Sequence, residues 1–226
     1  MPLGRIACRH INNQIKAFWA DIKDASVLGI GFTTPYLSSF SASHRRVFAC
    51  MPAEQGVIHW PPNTLNLSLL SDECELPFAN DSIQRVLAVH ALENTENARQ
   101  MMAEIWRILA PGGRLLVVVP NRRGIWARSP QSPFAHGQPF TYWQLRQLFA
   151  KNSFTAVGAS SALFFPPSAG RYTLRLSGFL ERFGTNFFPG FGGVILMEAE
   201  KQIYAPTLQK ARNHSRMAYV PIAQAV

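Results

Sequence analysis

With 226 residues, 47% of them hydrophobic, and 22 Lys or Arg against 13 Asp or Glu, the chain carries a formal net charge of +9. That is the composition of an ordinary globular protein with one sizeable core. No apolar run approaches the ~20 residues needed to cross a bilayer, and Arg5, Arg9 and His10 interrupt any signal-peptide core, so a cytoplasmic protein without membrane insertion is expected. Cys8, Cys50 and Cys74 are odd in number and widely spaced, which argues against both a disulfide framework and a metal site.

Short apolar runs alternate with helix-like stretches, the pattern of strand-helix-strand units around a largely parallel sheet. Ile11, Ile15, Phe18, Trp19 and Ile22 form the apolar face of a helix expected over 10–25. Strands follow at Val27–Ile30, Arg46–Cys50 ("RVFAC"), Val57–Trp60 ("VIHW") and Arg85–Val89 ("RVLAV"). The most continuous apolar run, "RLLVVV" at Arg114–Val119, is the fifth; it and Arg85–Val89 lack alternation, as central strands do. Between these two, a helix spans about Thr95–Leu109 with Met101, Met102, Ile105, Ile108 and Leu109 on one face. Asn94 or Thr95 is its expected cap, and "APGG" ends it. Thr141 caps the next helix, "YWQLRQLFAK", which turns Leu145, Leu148 and Phe149 inward. A strand follows from about Thr155, and Val194–Ala199 reads as an edge-side strand after a Gly/Phe-rich turn.

The expected organisation is thus one α/β domain over 1–205: the N-terminal helix, a core over 26–165, and a C-terminal helix and last strand over 166–205. Residues 206–226 form a polar, basic and loosely held tail. Ten of the thirteen acids lie at or before Glu104, and none falls between Ile105 and Leu180, a span holding nine Lys or Arg. A basic half of this kind attracts an anionic partner such as nucleic acid, a phosphorylated metabolite or an acidic lipid surface; alternatively its charges are simply solvated or face the acids of the first half.

In an open parallel sheet, ligands sit at the carboxyl ends of strands where the strand order reverses. "VLGIGFTTPYL", Val27–Leu37, supplies two glycines, Gly29 and Gly31, at such a strand end, where an absent side chain lets a ligand approach the backbone. A dinucleotide turn of the G-x-G-x-x-G type would place a third glycine at Thr34, so a pyrophosphate ligand is disfavoured. S-Adenosylmethionine, which has an amino-acid group in place of the pyrophosphate, suits the shorter turn.

The order of later motifs sharpens this. "DECELPFANDSIQRVLAVHALEN" at Asp72–Asn94, then Glu104, Arg107, Leu109, Pro111, Gly112 and Gly113 in an E-x-x-R-x-L-x-P-G-G run, resemble the class I S-adenosylmethionine-dependent methyltransferases over roughly residues 25–160. The resemblance implies a Rossmann-like, seven-stranded, mostly parallel sheet with helices on both faces, and S-adenosylmethionine held by Gly29, Gly31, Thr33, Met51, Asp72, Glu73 and Val89. Asp72, four residues before Leu76, takes the place of the acid that helps hold adenine. Within the family, "PNRRGIWAR" followed by "SPFAHGQPFTYWQL" is most similar to a bacterial subgroup of unassigned substrate.

Four departures from the family pattern stand out. Gly29 stands where an acid is usual, Thr33 and Pro35 stand where later glycines are usual, Met51 follows Cys50 in place of the ribose-binding acid, with Glu54 the nearest substitute, and Gln84 replaces an Asp at the fourth strand. Pro35 is compatible with a helix start capped by Thr33 or Thr34.

His90, just past the fourth strand, is the candidate catalytic base; its alternative role is packing or a backbone hydrogen bond, and Glu93 likewise reads as a solvated residue before the helix cap. Asn121, Arg122, Arg123 and Trp126 are candidate substrate contacts on the loop after the fifth strand, where Arg128, Phe134, His136 and Phe140 also lie; equally, the aromatics pack that loop while the arginines face water. The expected function is methyl transfer to a small or anionic acceptor. The alternatives are a non-catalytic binding or regulatory module and an RNA-modifying methyltransferase using the basic half.

Overall fold

The computed structural model describes residues 2–20, 22, 24–41, 46–52, 56–129, 132, 134, 137–167, 171–187 and 189–203. Among these, seven strands form one sheet: β1 Val27–Gly31, β2 Val47–Met51, β3 Ser68–Leu70, β4 Ile83–Val89, β5 Leu109–Pro120, β6 Phe154–Ala162 and β7 Val194–Lys201. Their spatial order is β3-β2-β1-β4-β5-β7-β6, with β7 antiparallel to both of its neighbours and the other pairings parallel. The order turns back between β1 and β4, where Val27 pairs with Val47 on one side and Arg85 on the other, and a crevice opens there at the strands' carboxyl ends.

The helices are α1 Pro2–Phe18, α2 Thr34–Ser41, α3 Ala98–Ile108, α4 Ile125–Arg128, α5 Tyr142–Lys151 and α6 Arg171–Phe187. They cover both faces of the sheet. On one face Ile11 and Ile15 of α1, Tyr36 and Leu37 of α2, and Trp126 pack against Val27, Leu87, Val89 and Leu116. On the other, Met101, Met102, Ile105 and Ile108 of α3 and Leu145 and Phe149 of α5 pack against Leu28, Ile30, Val86 and Val117. Full burial of each large aliphatic side chain is worth about 1.5–3 kcal/mol, so the two layers together dominate the stabilisation.

Five expectations need correction. The first helix runs Pro2–Phe18 and not 10–25, because the apolar face extends back through Ile6 and Ala7, while Trp19 and Ile22 are buried beyond the helix end. Trp19 is anchored there by its indole N–H, which donates to Glu198 Oε1 at 2.9 Å. "VIHW" is not a strand: Val57 and Ile58 are 49% and 59% exposed, and β3 takes the place beside β2. Asn66 Oδ1 closes the connecting loop by accepting from the Trp60 and Ser68 amides.

The cap of α3 is Asn97, whose side chain accepts from the Gln100 amide at 3.1 Å, since Asn94 and Thr95 belong to a separate turn closed on the Ala91 carbonyl. "APGG" lies within β5, and β7 sits one strand in from the edge, leaving β6 at the margin. The expected cap at Thr141 is present as a reciprocal capping box with Gln144. The tail over 206–226 lies outside the described residues.

Lys201, at the end of β7, is buried and ties three elements together. Its Nζ donates to the Leu109 carbonyl at 2.6 Å and to the Asp81 carboxylate, and lies 4.0 Å from the centroid of the Trp106 ring. Removing the ammonium strands a buried carbonyl and leaves Asp81 unpaired. Lys201→Ala is therefore expected to lower unfolding free energy by about 2–3 kcal/mol, read from urea denaturation.

Candidate functional site

The crevice begins where β1 ends. Gly31 has φ +82°, and a Cβ there would stand 2.5 Å from the Val89 carbonyl oxygen and 2.9 Å from Ala91 Cβ, so both conformation and space demand glycine. The Phe32 amide donates to Val89 O at 2.9 Å, and the Thr33 carbonyl accepts from the Tyr36 and Leu37 amides as α2 starts. Pro35 occupies the first turn of that helix, where its missing N–H costs nothing.

Gly29 is closed off. A Cβ there would lie 2.3 Å from Thr33 Oγ1 and 2.6 Å from Leu37 Cδ1, and Thr33 is fully buried. The threonine at a usual glycine position thus fills the volume that an acid at position 29 would need. Met51 is also buried, with its sulfur accepting from the Ile58 amide at 3.3 Å. Glu54 and His136 lie outside the described residues. Gln84 acts locally, its Oε1 accepting from the Ser26 amide and hydroxyl.

Beyond the turn is a cavity of about 680 Å³ lined by residues that include Pro52, Asp72, Glu73, Ala91, Asn94 and Glu96. Of the residues expected to hold a cofactor, Asp72 and Glu73 line it. Gly31 and Val89 meet behind Ala91 at its inner wall, whereas Gly29, Thr33 and Met51 are packed into the core. Asp72 Oδ1 accepts from the Cys74 amide at 2.8 Å, which orients the carboxylate in the loop. Burial, then the charge of Glu73, pushes the Cys50 thiol up to about 12; burial, then Asp72 and Glu73, also raises Cys74. Both thiols stay protonated and carry no nucleophilic role at neutral pH.

The loop bearing Asp72 is held from α3. Arg107 donates to the carbonyls of Leu76 and Phe78, to Asn80 and to Glu104, while Glu104 Oε1 accepts from the Leu76 amide at 2.8 Å. The E-x-x-R of the sequence is therefore a clamp on "LPF". Hydrogen bonds from Arg107 hold the Glu104 carboxyl below its ordinary 4.5 against the opposing effect of burial, with the Leu76 amide adding to the lowering.

His90 stands at the rim, one residue before Ala91. Its φ of +52° is a sparsely populated conformation for a non-glycine residue. Nδ1 is 2.7 Å from Glu93 Oε1, and the imidazole stacks on Phe134 at 4.7 Å between centroids. Glu93 is 4% exposed and so is no solvated residue; its Oε2 is buried without a hydrogen-bond partner. Sequence reasoning underrated Glu93 because its i+3 spacing from His90 looks like ordinary loop polarity until the loop folds over it.

The residues expected to meet substrate separate. Asn121 and Arg123 line a second cavity of about 650 Å³ together with Thr141, Tyr142 and Trp143 at the start of α5. Asn121 is itself a scaffold: its Nδ2 donates to the Gly190 and Gly192 carbonyls and its Oδ1 accepts from the Arg123 amide. Arg122 reaches outward to the Pro139 carbonyl at 3.1 Å. Trp126 is core, 2% exposed, with its indole N–H donating to Phe165 O at 2.6 Å and its ring against Phe134 and Phe165. Tyr142 and Trp143 were missed as site residues; the Thr141 cap was the signal that placed their helix end here.

Residues 27–117 match the family model described as "Methyltransferase domain". Over 48 residues the chain is 40% identical to methyltransferase GfsG of Streptomyces halstedii, a match covering 21% of this chain and 17% of that protein. It is 33% identical over 70 residues to the ubiquinone/menaquinone biosynthesis C-methyltransferase UbiE of Desulfotalea psychrophila, covering 30% and 28% respectively. The chain thus spans well under a third of the length of these curated relatives. The fold matches that of an S-adenosylmethionine-dependent methyltransferase of Thermotoga maritima with a TM-score of 0.64 at 17% identity, over 88% of this chain and 91% of that one.

Two outcomes follow from the site's packing. Gly29→Asp is expected to destabilise the fold by about 2–4 kcal/mol through overpacking against Thr33, and adding Thr33→Gly is expected to recover at least half of that loss in chemical denaturation. The depressed Glu104 carboxyl contributes stability that is present above its ordinary value of 4.5 and is lost as pH falls through the folded-state value. The stability advantage of wild type over Glu104→Gln is therefore expected to be constant near neutral pH and to narrow below 4.5, measured by urea unfolding at successive pH values.

Proposed function

We propose that the chain is a class I S-adenosylmethionine-dependent methyltransferase, a reading supported by the methyltransferase-domain match over residues 27–117, and that its crevice between β1 and β4 transfers a methyl group to a small-molecule acceptor. The observation that carries this is the carboxylate-lined cavity at the point where strand order reverses, with a part-buried histidine-carboxylate pair next to its lining residues Ala91 and Asn94. Its size and its donor set fit the cofactor: about 680 Å³, with Asp72 and Glu73 facing a ligand that bears ribose hydroxyls, an ammonium and a sulfonium. Asp72 and Glu73 would hold the nucleoside end, and the backbone from Gly31 to Phe32 would border the amino-acid end. When bound, the cofactor supplies an electrophilic methyl group on sulfur.

What the chain adds is position and a proton acceptor. In the tautomer with Nδ1–H donating to Glu93, the Nε2 of His90 carries a lone pair and can take the proton of an acceptor O–H or N–H as that atom attacks. Glu93, excluded from water, pairs with Nδ1 and keeps the ring in one orientation against Phe134. Arg123, Tyr142 and Trp143 border the second cavity and offer a cation and two aromatic faces to an acceptor.

A non-catalytic module is favoured by a specific observation, the closure of position 29 by Thr33. Against it, neither Phe32 nor Met51 nor Trp60 lines the large cavity, so none of them fills the space left for a nucleoside. One titration decides. S-Adenosylhomocysteine is expected to bind the folded protein below about millimolar concentration by calorimetry, with Asp72→Ala weakening it roughly tenfold and His90→Gln changing it less than about twofold. No heat of binding from a correctly folded sample would leave the non-catalytic module standing.

A further inference from the structure

We propose that the outer face of α6 and the turns beside its end form a docking surface for an anionic lipid bilayer. The helix is fixed on the protein by its inner side. Glu181, buried within α6, accepts from the Leu163 and Phe164 amides at 2.9 and 3.0 Å, and Gly184 sits so close to Phe164 that a Cβ would fall 2.2 Å from its ring. These contacts set the helix rotation and turn a line of phenylalanines outward.

Phe179, Phe183 and Phe187 recur at i, i+4 and i+8; Phe179 and Phe187 are 67% and 65% exposed, and Leu176 extends the patch. The rings run along the helix at 6.2 and 4.7 Å between successive centroids. Phe191, also exposed, continues the patch onto the following turn. Singly exposed apolar residues are ordinary, whereas a contiguous aromatic line of this length marks an interaction surface.

Charge identifies the partner. Between Ile105 and Met197 the sequence holds ten Lys or Arg and a single acid, Glu181, which is the one buried in docking the helix. Arg182 is exposed beside the aromatic line. Asn121 ties the turn bearing exposed Arg122 and Arg123 to the Gly190–Gly192 backbone, which brings two more cations to the end of α6.

Apolar side chains flanked by arginines, on a helix too short and too charged to span, are the makings of an interfacial helix that lies in the headgroup region of acidic lipid. A second copy of the chain does not suit this surface. In a twofold pairing the same patch faces itself, which would set arginine against arginine with no exposed acid on α6 to pair them. The docked orientation brings the cavity at Asn121 and Arg123 close to the headgroups.

The test is co-sedimentation of the full chain with large vesicles of phosphatidylcholine alone or of phosphatidylcholine with phosphatidylglycerol at about 3:1, across a salt series. The expected result is binding to the mixed vesicles, weakened roughly tenfold or more by the double variant Phe179→Ser, Phe187→Ser, reduced by Arg182→Glu, and absent with phosphatidylcholine alone. Circular dichroism and thermal melting verify that these surface variants fold. The proposal is overturned if wild type stays in the supernatant with the mixed vesicles, or if the double serine variant binds them as wild type does. It is equally overturned if the serine changes alter the oligomeric state while vesicle binding is nil, which would assign the face to a second copy.

Discussion

The constraint on which the crevice depends is the approach of two backbones at Gly31. The end of β1 passes so near the Val89 carbonyl that no side chain fits between them, and that carbonyl accepts the Phe32 amide. This contact fixes where β1 stops, where α2 starts, and how His90 leaves β4. The inner wall of the crevice at Ala91 and the adjacent histidine take their positions from it. A larger residue at 31 would move two strand ends at once, because the sheet interior packs without slack.

Around that point the departures from the family pattern fall into a consistent arrangement. Gly29 and Thr33 exchange sizes relative to the usual acid and glycine, and the volume stays filled. Met51 is likewise absorbed into packing, under Ile58. What the turn has given up in charge therefore sits farther along the cavity, on Asp72 and Glu73, and their loop is held by the Glu104–Arg107 clamp. The polar lining of the crevice lies on the Asp72–Glu73 side, so a turn without an acid still borders a polar space of about 680 Å³.

The opposite half of the molecule is organised by a different economy of charge. Its few acids are structural: Glu198 holds Trp19 and Arg114, and Glu181 holds the α6 helix down. With its acid turned inward, the outward face of α6 is left to arginine and phenylalanine, and the asymmetry of charge seen along the sequence becomes an asymmetry of surface.

Much of this was legible in the chain. Continuous apolar runs at Val27, Arg85 and Arg114 gave buried strands, since a strand covered on both faces has no polar side to alternate. The 3.6-residue spacing of Met101, Met102, Ile105 and Ile108 gave α3, and Thr141 gave the start of α5. Where the reading slipped, non-local pairing was responsible. "VIHW" has strand-like composition, but an edge position belongs to whichever segment the loop can deliver, and Asn66 delivers Ser68–Leu70. The same holds for the site. The sequence by itself determined a crevice with glycine at 31, acids at 72 and 73 and a histidine at 90, because those depend on residue type at a strand end. Only the tertiary structure decided that Thr33 excludes an acid at 29, that Glu93 is buried against His90, and that Trp126 belongs to the core. Each of those rests on which side chains share a volume, and residues far apart in the chain do so only once the sheet and its loops have closed.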